Sequence, residues 1–171
     1  LKINNFNKIK RMRGTNFEKV LAFNKAFGVT TYTTPQLDIL ERNPELIRYR
    51  LSLVEEEFGE LVEAVKNKDL VETIDGLADL LFVTYGFFSS IGIDADNAYD
   101  IVSESNMSKL CKTEEEAQKT VEFYLQQNPQ RYDSPTYRRS DDNINWVVYN
   151  KSTMKILKSY KYTPANFKSI M

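Results

Sequence analysis

The chain of 171 residues has no histidine. That absence removes Ser-His-Asp and Cys-His nucleophilic systems, imidazole-bound zinc, and phosphohydrolases whose metals sit on histidine and aspartate. Acid–base chemistry is left to carboxylates, lysine, tyrosine or metal-bound water. The single cysteine, Cys111, cannot form an internal disulfide and suits a reducing compartment. The start, LKINNFNKIKRMRG, is polar and basic, unlike a signal peptide. The longest apolar run, 77–91, is broken by Asp79 and Gly86 and is short for a bilayer span. A cytoplasmic protein with no membrane partner is expected. A net charge of −1 gives no general attraction to nucleic acid or anionic lipid.

What is present is carboxylate, twice. LVEEEFGELVEAV carries Glu56, Glu57 and Glu60, with Glu63 one turn on; DLVETIDGLADLLFV carries Glu72, Asp75 and Asp79. At about 100° per residue, Glu56, Glu60 and Glu63 fall within a sector of about 60°, with Glu57 on the flank. Glu72, Asp75 and Asp79 fall within a sector of about 60° by the same rotation. Like charges at these spacings repel, and no lysine or arginine is interleaved between Leu53 and Val65 as on an ordinary solvated face. Asp79 sits in an apolar run, where an unpaired carboxylate is expensive. A cation between the two segments would resolve both problems, and ligands made only of oxygen point to Mg²⁺, with Mn²⁺ as a substitute.

Helix signals place these clusters. Asn16 caps a helix over 17–27 that ends at Gly28. Asn43-Pro44-Glu45 opens a helix to about Val65, and a turn at 67–69 leads to another over 70–90 that ends at Gly92. Asp94 or Asp96 caps a fourth over 95–110, and Thr113 with Glu116 forms a capping box for a fifth over 114–127. Residues 29–40 and 130–143 read as loops; 144–149 and 154–157 read as a β-hairpin. The expected fold is all-α: a bundle of four to five helices with the acidic site between two antiparallel helices, plus a small C-terminal hairpin. One domain is expected over 1–171, with its helical core at about 16–128 and an extension at about 129–171.

The pattern Glu56-Glu57-Phe58-Gly59-Glu60, followed by Asp75-Gly76-Leu77-Ala78-Asp79-Leu80-Leu81-Phe82, resembles the all-α NTP pyrophosphatase superfamily. That superfamily includes MazG-like, dimeric dUTPase-like and phosphoribosyl-ATP pyrophosphohydrolase-like proteins. The likeness continues through Tyr85-Gly86, Gly92-Ile93-Asp94 and Ser105-Asn106-Met107-Ser108-Lys109-Leu110. The stretch 154–158 and Tyr162-Thr163-Pro164 resemble a basic tail of the phosphoribosyl-ATP branch. One position departs: the second motif is usually ExxD, and Gly76 stands where its glutamate belongs. Asp75, four residues before Asp79, could supply the missing ligand, with Glu72 as the alternative.

The resemblance implies Mg²⁺-dependent cleavage of a nucleoside triphosphate between its α and β phosphates, in nucleotide-pool sanitation. Glu57, Glu60, Asp79 and Asp75 are the expected metal ligands, joined by Glu56 and Glu72. Glu56 or Glu57 is the expected base, with the balance towards Glu56. Asn106 and Lys109 share a face at i,i+3 and would reach the base or sugar and the phosphates. Lys112, Lys155 and Lys158 are further phosphate candidates. Tyr85 is either a core residue or a base-stacking one, and Trp146 is a packing residue. A homodimer or dimer of dimers is implied, because the helix over 70–90 is apolar nearly all round. Two other functions stay open: hydrolysis of phosphoribosyl-ATP, and a non-enzymatic metal-binding helical module.

Overall fold

Thr15, rather than Asn16, opens the first helix. In the computed structural model, which describes residues 13–171, α1 runs Asn16–Ala26. Thr15 Oγ1 accepts the Glu18 N–H at 3.2 Å and Glu18 Oε2 accepts the Thr15 N–H at 2.7 Å, a complete capping box. The basic lead-in 1–12 lies outside the described residues. A short α2, Ile39–Arg42, begins at the end of the stretch 29–40 read as a loop, and its buried Ile39 holds it against the fold. Asn43 and Pro44 open α3, Pro44–Lys66, as their residue types dictate. Asp69 caps α4, Leu70–Ile91, through the N–H groups of Val71 and Glu72. Gly92 ends α4 at φ 75°, where a Cβ would run into the Thr34 carbonyl oxygen.

Asp94 accepts from the N–H groups of Asp96 and Asn97 at the start of α5, Ala95–Met107. Thr113 caps α6, Glu114–Leu125. Its box is half formed, since Glu116 reaches the Lys112 N–H instead of that of Thr113. The chain divides into two compact units, one reaching Ala98 and the other comprising Tyr99–Ser169, with Ile170–Met171 assigned to the first. The division falls inside α5 rather than near 128, because α6 belongs with the sheet that follows it.

In the first unit α3 and α4 form an antiparallel hairpin. Gly76 is its closest point: a Cβ there would lie 3.1 Å from Leu61 Cα and 3.3 Å from Leu61 N. The backbones nearly touch, so even a Cβ would need Leu61 to give by a few tenths of an ångström, and the glutamate expected there is disfavoured. Counted from that contact, the carboxylates of both helices rotate to one side. Phe58 (57% exposed), Leu77 (50%) and Leu81 (56%) rotate to the other. α1 packs on the back of α4 through Phe17 against Tyr85 and Phe23 edge-on to Phe82 at 5.1 Å. The N–H groups of Tyr32 and Gln36 close the carbonyls of Ser89 and Ile91, which the end of a helix leaves without partners.

The second unit has its own core of Cys111, Ala117, Tyr124, Val148 and Leu157. Tyr137 and Trp146 pack against it, their own two rings edge to face at 5.6 Å. The sheet has three antiparallel strands, β1 Pro135–Arg139, β2 Trp146–Asn150 and β3 Lys155–Ile156, in that order. β1 is the strand its polar, proline-containing sequence hides: Pro135 stands at its first position, where proline is tolerated. A short 3₁₀ turn, Phe167–Ile170, ends the ordered chain.

Candidate functional site

The carboxylates meet on one side of the α3–α4 hairpin. The contact line of α3 runs through Leu61 and buried Ala64, and Glu57 lies one turn before Leu61 on that line. The helical wheel alone puts Glu57 on the flank; packing makes it the innermost of the set. Its proton affinity is raised above the ordinary glutamate value, first by desolvation and then by the charges of Asp79, Glu60, Glu56 and Asp75. Two of those charges stand on α4, so the two motifs face each other across the hairpin. Among the described residues none of Glu56, Glu57, Glu60, Glu72, Asp75 and Asp79 pairs with lysine or arginine. Glu63, by contrast, pairs with Lys66 at 2.6 Å and is spent on the surface.

Among the described residues no three acidic or cysteine side chains converge into a closed metal cage. The groups share one open face of the hairpin, a valley only in the sense that it lies between the two helices, and their like charges repel. The donor set fits a hard divalent cation: every candidate is a carboxylate oxygen, and the excess of like charge is what such an ion would relieve. Asp75 acts on Glu57 and so belongs to the face that the departure at Gly76 left short of a ligand.

The substrate candidates fall in several places. Tyr85 is half-buried beside Phe17 and lines a groove of 590 Å³ between α1 and α4 with Val20, Phe23 and Phe82. In the second unit α5 ends at Met107 rather than at 110, so Lys109 lies in the turn that follows, from which its Nζ donates to Asn106 Oδ1 at 2.6 Å. Nearby Ser105 is buried and lies 2.9 Å from the Tyr162 hydroxyl. Lys158 Nζ stands 4.2 Å over the Tyr162 ring. The Ser105 hydrogen bond, then the charges of Lys158 and Lys109, hold the Tyr162 phenol below its ordinary pKa. Asn106, Lys109 and Lys158 are therefore neighbours. Lys155 instead sits 5.7 Å over Tyr132, and Lys112 is exposed, its N–H given to Glu116. Trp146 packs as expected, with Arg139 over its ring at 5.0 Å.

Residues 20–106, half of the chain and all of the acidic hairpin, match the family described as phosphoribosyl-ATP pyrophosphohydrolase. The chain belongs to that family. Through it the chain joins the MazG-like all-α NTP pyrophosphatase superfamily. The chain is also similar to an uncharacterized protein, L479, of Acanthamoeba polyphaga mimivirus, at 27% identity over 93% of this chain and 96% of that protein. That match extends past the family region into the second unit.

The sequence reading missed Arg50. It stands on α3 seven residues before Glu57, which places both on one helical face, and that spacing was the available signal. Arg50 is 4% exposed and donates from Nε to Ser90 Oγ at 2.7 Å. Asn24, also buried, donates to Ser89 Oγ at 2.8 Å, and both serines turn to the Gly86 carbonyl. A polar network therefore sits inside the first unit beyond the acidic valley.

Proposed function

We propose that the chain hydrolyses a nucleoside triphosphate between its α and β phosphates, giving the monophosphate and pyrophosphate in a reaction that needs Mg²⁺. The observation that supports this is Glu57, set against Asp79 and Asp75 with its proton affinity raised and no lysine or arginine beside it. An acidic site can receive a polyanion only through cations, so these carboxylates imply metal. Glu57, Glu60, Asp79 and Asp75 would hold it, with Glu56 and Glu72 at the margin. When bound, Mg²⁺ supplies neutralisation of phosphate charge and acidification of water.

The chain's own residues then orient and deprotonate. Glu56, exposed on α3 beside Glu57, is the proposed base and would accept a proton from water. The water oxygen bonds to the α-phosphorus while the bond from that atom to the bridging oxygen breaks. The electron pair leaves on the bridging oxygen with the β-phosphate. Lys109, with Asn106 beside it, is the proposed contact for the nucleotide.

A second reading is favoured by the family match itself: the substrate is phosphoribosyl-ATP. Pyrophosphate release from phosphoribosyl-ATP and from a panel of NTPs and dNTPs, with and without Mg²⁺, separates the two. Turnover of the panel supports the first reading and turnover of phosphoribosyl-ATP alone the second. Mg²⁺ binding without any turnover leaves a non-enzymatic module.

The apolar side of the hairpin is proposed to receive a second copy. By length and mean hydropathy, 1.3, α4 is apolar enough to cross a bilayer. Glu72, Asp75 and Asp79 in its first half make lipid an expensive partner, whereas a second copy would cover Phe58, Leu77 and Leu81 and leave the acidic side open. Light scattering of the purified chain tests this: a monomer at all concentrations refutes it.

A further inference from the structure

Arg50 is a buried charge without a counter-ion. Among the described residues it makes no salt bridge, and its Nη2, wholly buried, has no hydrogen-bond acceptor. The groups around it, Asn24, Ser89 and Ser90, are neutral, so they can orient the guanidinium but cannot balance it. A buried ion left unpaired is strongly destabilising, and well-packed apolar residues usually serve better at such a position. Arginine stays charged even where burial lowers its pKa.

Its place along the hairpin says what would complete it. Arg50 precedes Glu57 by two turns on α3, and Gly86 follows Asp79 by two turns on α4. Because the helices are antiparallel, the Arg50–Gly86 contact lies about 10 Å along the valley from the carboxylates. Gly86 lets the guanidinium lie close against α4, since a Cβ would stand 3.3 Å from Arg50 Nη1. A carboxylate arm, the cation it would hold and an extended diphosphate together would span such a distance. A neutral carbonyl would satisfy the N–H but leave the charge unbalanced; a phosphate oxygen satisfies both.

We propose that Arg50 binds the pyrophosphate end of the substrate. The proposal rests on the pyrophosphohydrolase reading for its substrate, and its test does not depend on turnover. The probe is inorganic pyrophosphate with Mg²⁺, titrated by calorimetry against the wild-type chain and Arg50→Met, with AMP plus Mg²⁺ as a second arm. Arg50→Met should bind pyrophosphate at least about tenfold more weakly, since a charge-assisted pair is lost. It should bind AMP as the wild type does, and without ligand it should unfold at the same or a higher temperature. Pyrophosphate affinity within about twofold of wild type overturns the proposal, as does a loss confined to AMP. Should Arg50→Met fail to fold, the Arg50 Nε–H resonance of the wild type decides. A shift on adding Mg-pyrophosphate supports the contact, and an unmoved signal overturns it. Wild-type turnover is measured beside these. Pyrophosphate binding through Arg50 without hydrolysis sinks the enzymatic reading alone; hydrolysis with Arg50→Met unaffected sinks this one alone.

Discussion

Glu116 in the second unit and Arg50 in the first are both almost fully buried and charged, at 7% and 4% exposure. Glu116 accepts from Ser159 Oγ at 2.9 Å and from the Lys112 N–H, with Lys161 Nζ 3.7 Å away. Arg50 has an N–H group with nothing to accept it. The contrast holds for whole units. In the second, Asn150 donates to Asp133, Ser152 and Thr153, tying the ends of β2 and β1 to their loops, and the apolar side chains close into one core. In the first, six carboxylates share one face without a lysine or arginine partner among the described residues, while Phe58, Leu77 and Leu81 face solvent. A fold completed by its own residues needs nothing else. One that leaves charge unpaired and apolar surface bare is shaped for ligands, and most of the family match, residues 20–106, lies in that unit.

The largest effect expected from breaking this contrast is at Glu60. Glu60→Gln keeps size and helix propensity but removes one of the charges acting on Glu57. Pyrophosphate release should fall by about two orders of magnitude or more, because a ligand is lost where charge develops. Thermal stability without metal should not fall, since repulsion is relieved. Near-native turnover would show that Glu60 is not a ligand.

Next come truncations of apolar groups. Leu157 is 1% exposed, and Leu157→Ala should destabilise the second unit by about 3 kcal/mol through lost transfer energy and a cavity. Trp146, the only tryptophan, reports that unit by fluorescence. Leu81→Ser in the first unit should change monomer stability by less than about 0.5 kcal/mol, the usual size of a surface substitution. Its effect should appear instead as weaker concentration-dependent association in light scattering. Equal destabilisation at both sites would erase the difference between the units.

Gly76 gives a smaller effect with a sharper meaning. Alanine there gains about 1 kcal/mol of helix propensity but drives a Cβ against Leu61 backbone atoms, which cannot rotate away. A net loss of about 1 kcal/mol in chemical denaturation is expected. Gly76→Glu, which restores the family's usual residue, should destabilise more and should not raise activity. Tolerance of either change would mean that the helices do not approach so closely.

Much of this was legible from residue types. Asn43-Pro44, Asp69 and Gly92 announce their helix ends because capping is local chemistry. The acidic hairpin could be read because like charges at i,i+3 and i,i+4 have few structural uses. What escaped depends on tertiary contact. Glu57 becomes innermost only once Leu61 is pinned to Gly76. β1 is held by pairing with β2 more than by its own polar sequence. The division inside α5 follows from α6 packing on a sheet that did not yet exist in the sequence. Arg50 looks like any helix arginine until α1, through Asn24, closes over it.

The smallest expected effect is a difference in sign. Glu57 has its proton affinity raised in the fold, so its contribution to stability is complete below the ordinary value of 4.5 and is lost as pH rises through its folded value. Asp133 and Asp142 go the other way. Hydrogen bonds from Ser152 and Asn150 to the first, and from Ser140 and the Ile144 N–H to the second, hold both below the ordinary 3.8. What they contribute is present above 3.8 and is lost as pH falls through their folded values. In metal-free buffer of low ionic strength, acidification from neutral towards 4.5 should therefore raise the melting temperature read by helical circular dichroism. The Trp146 signal of the second unit should hold steady over that range and weaken only below 4.5, where Glu115, held down by Lys119, and then Asp133 and Asp142 take up protons. Saturating Mg²⁺ should abolish the gain in the helical signal, because the cation replaces the proton that Glu57 would otherwise take up. A helical melting temperature that falls with acidification, or one that rises equally with Mg²⁺ present, would mean that the Glu57 carboxylate does not answer to the charges across the hairpin.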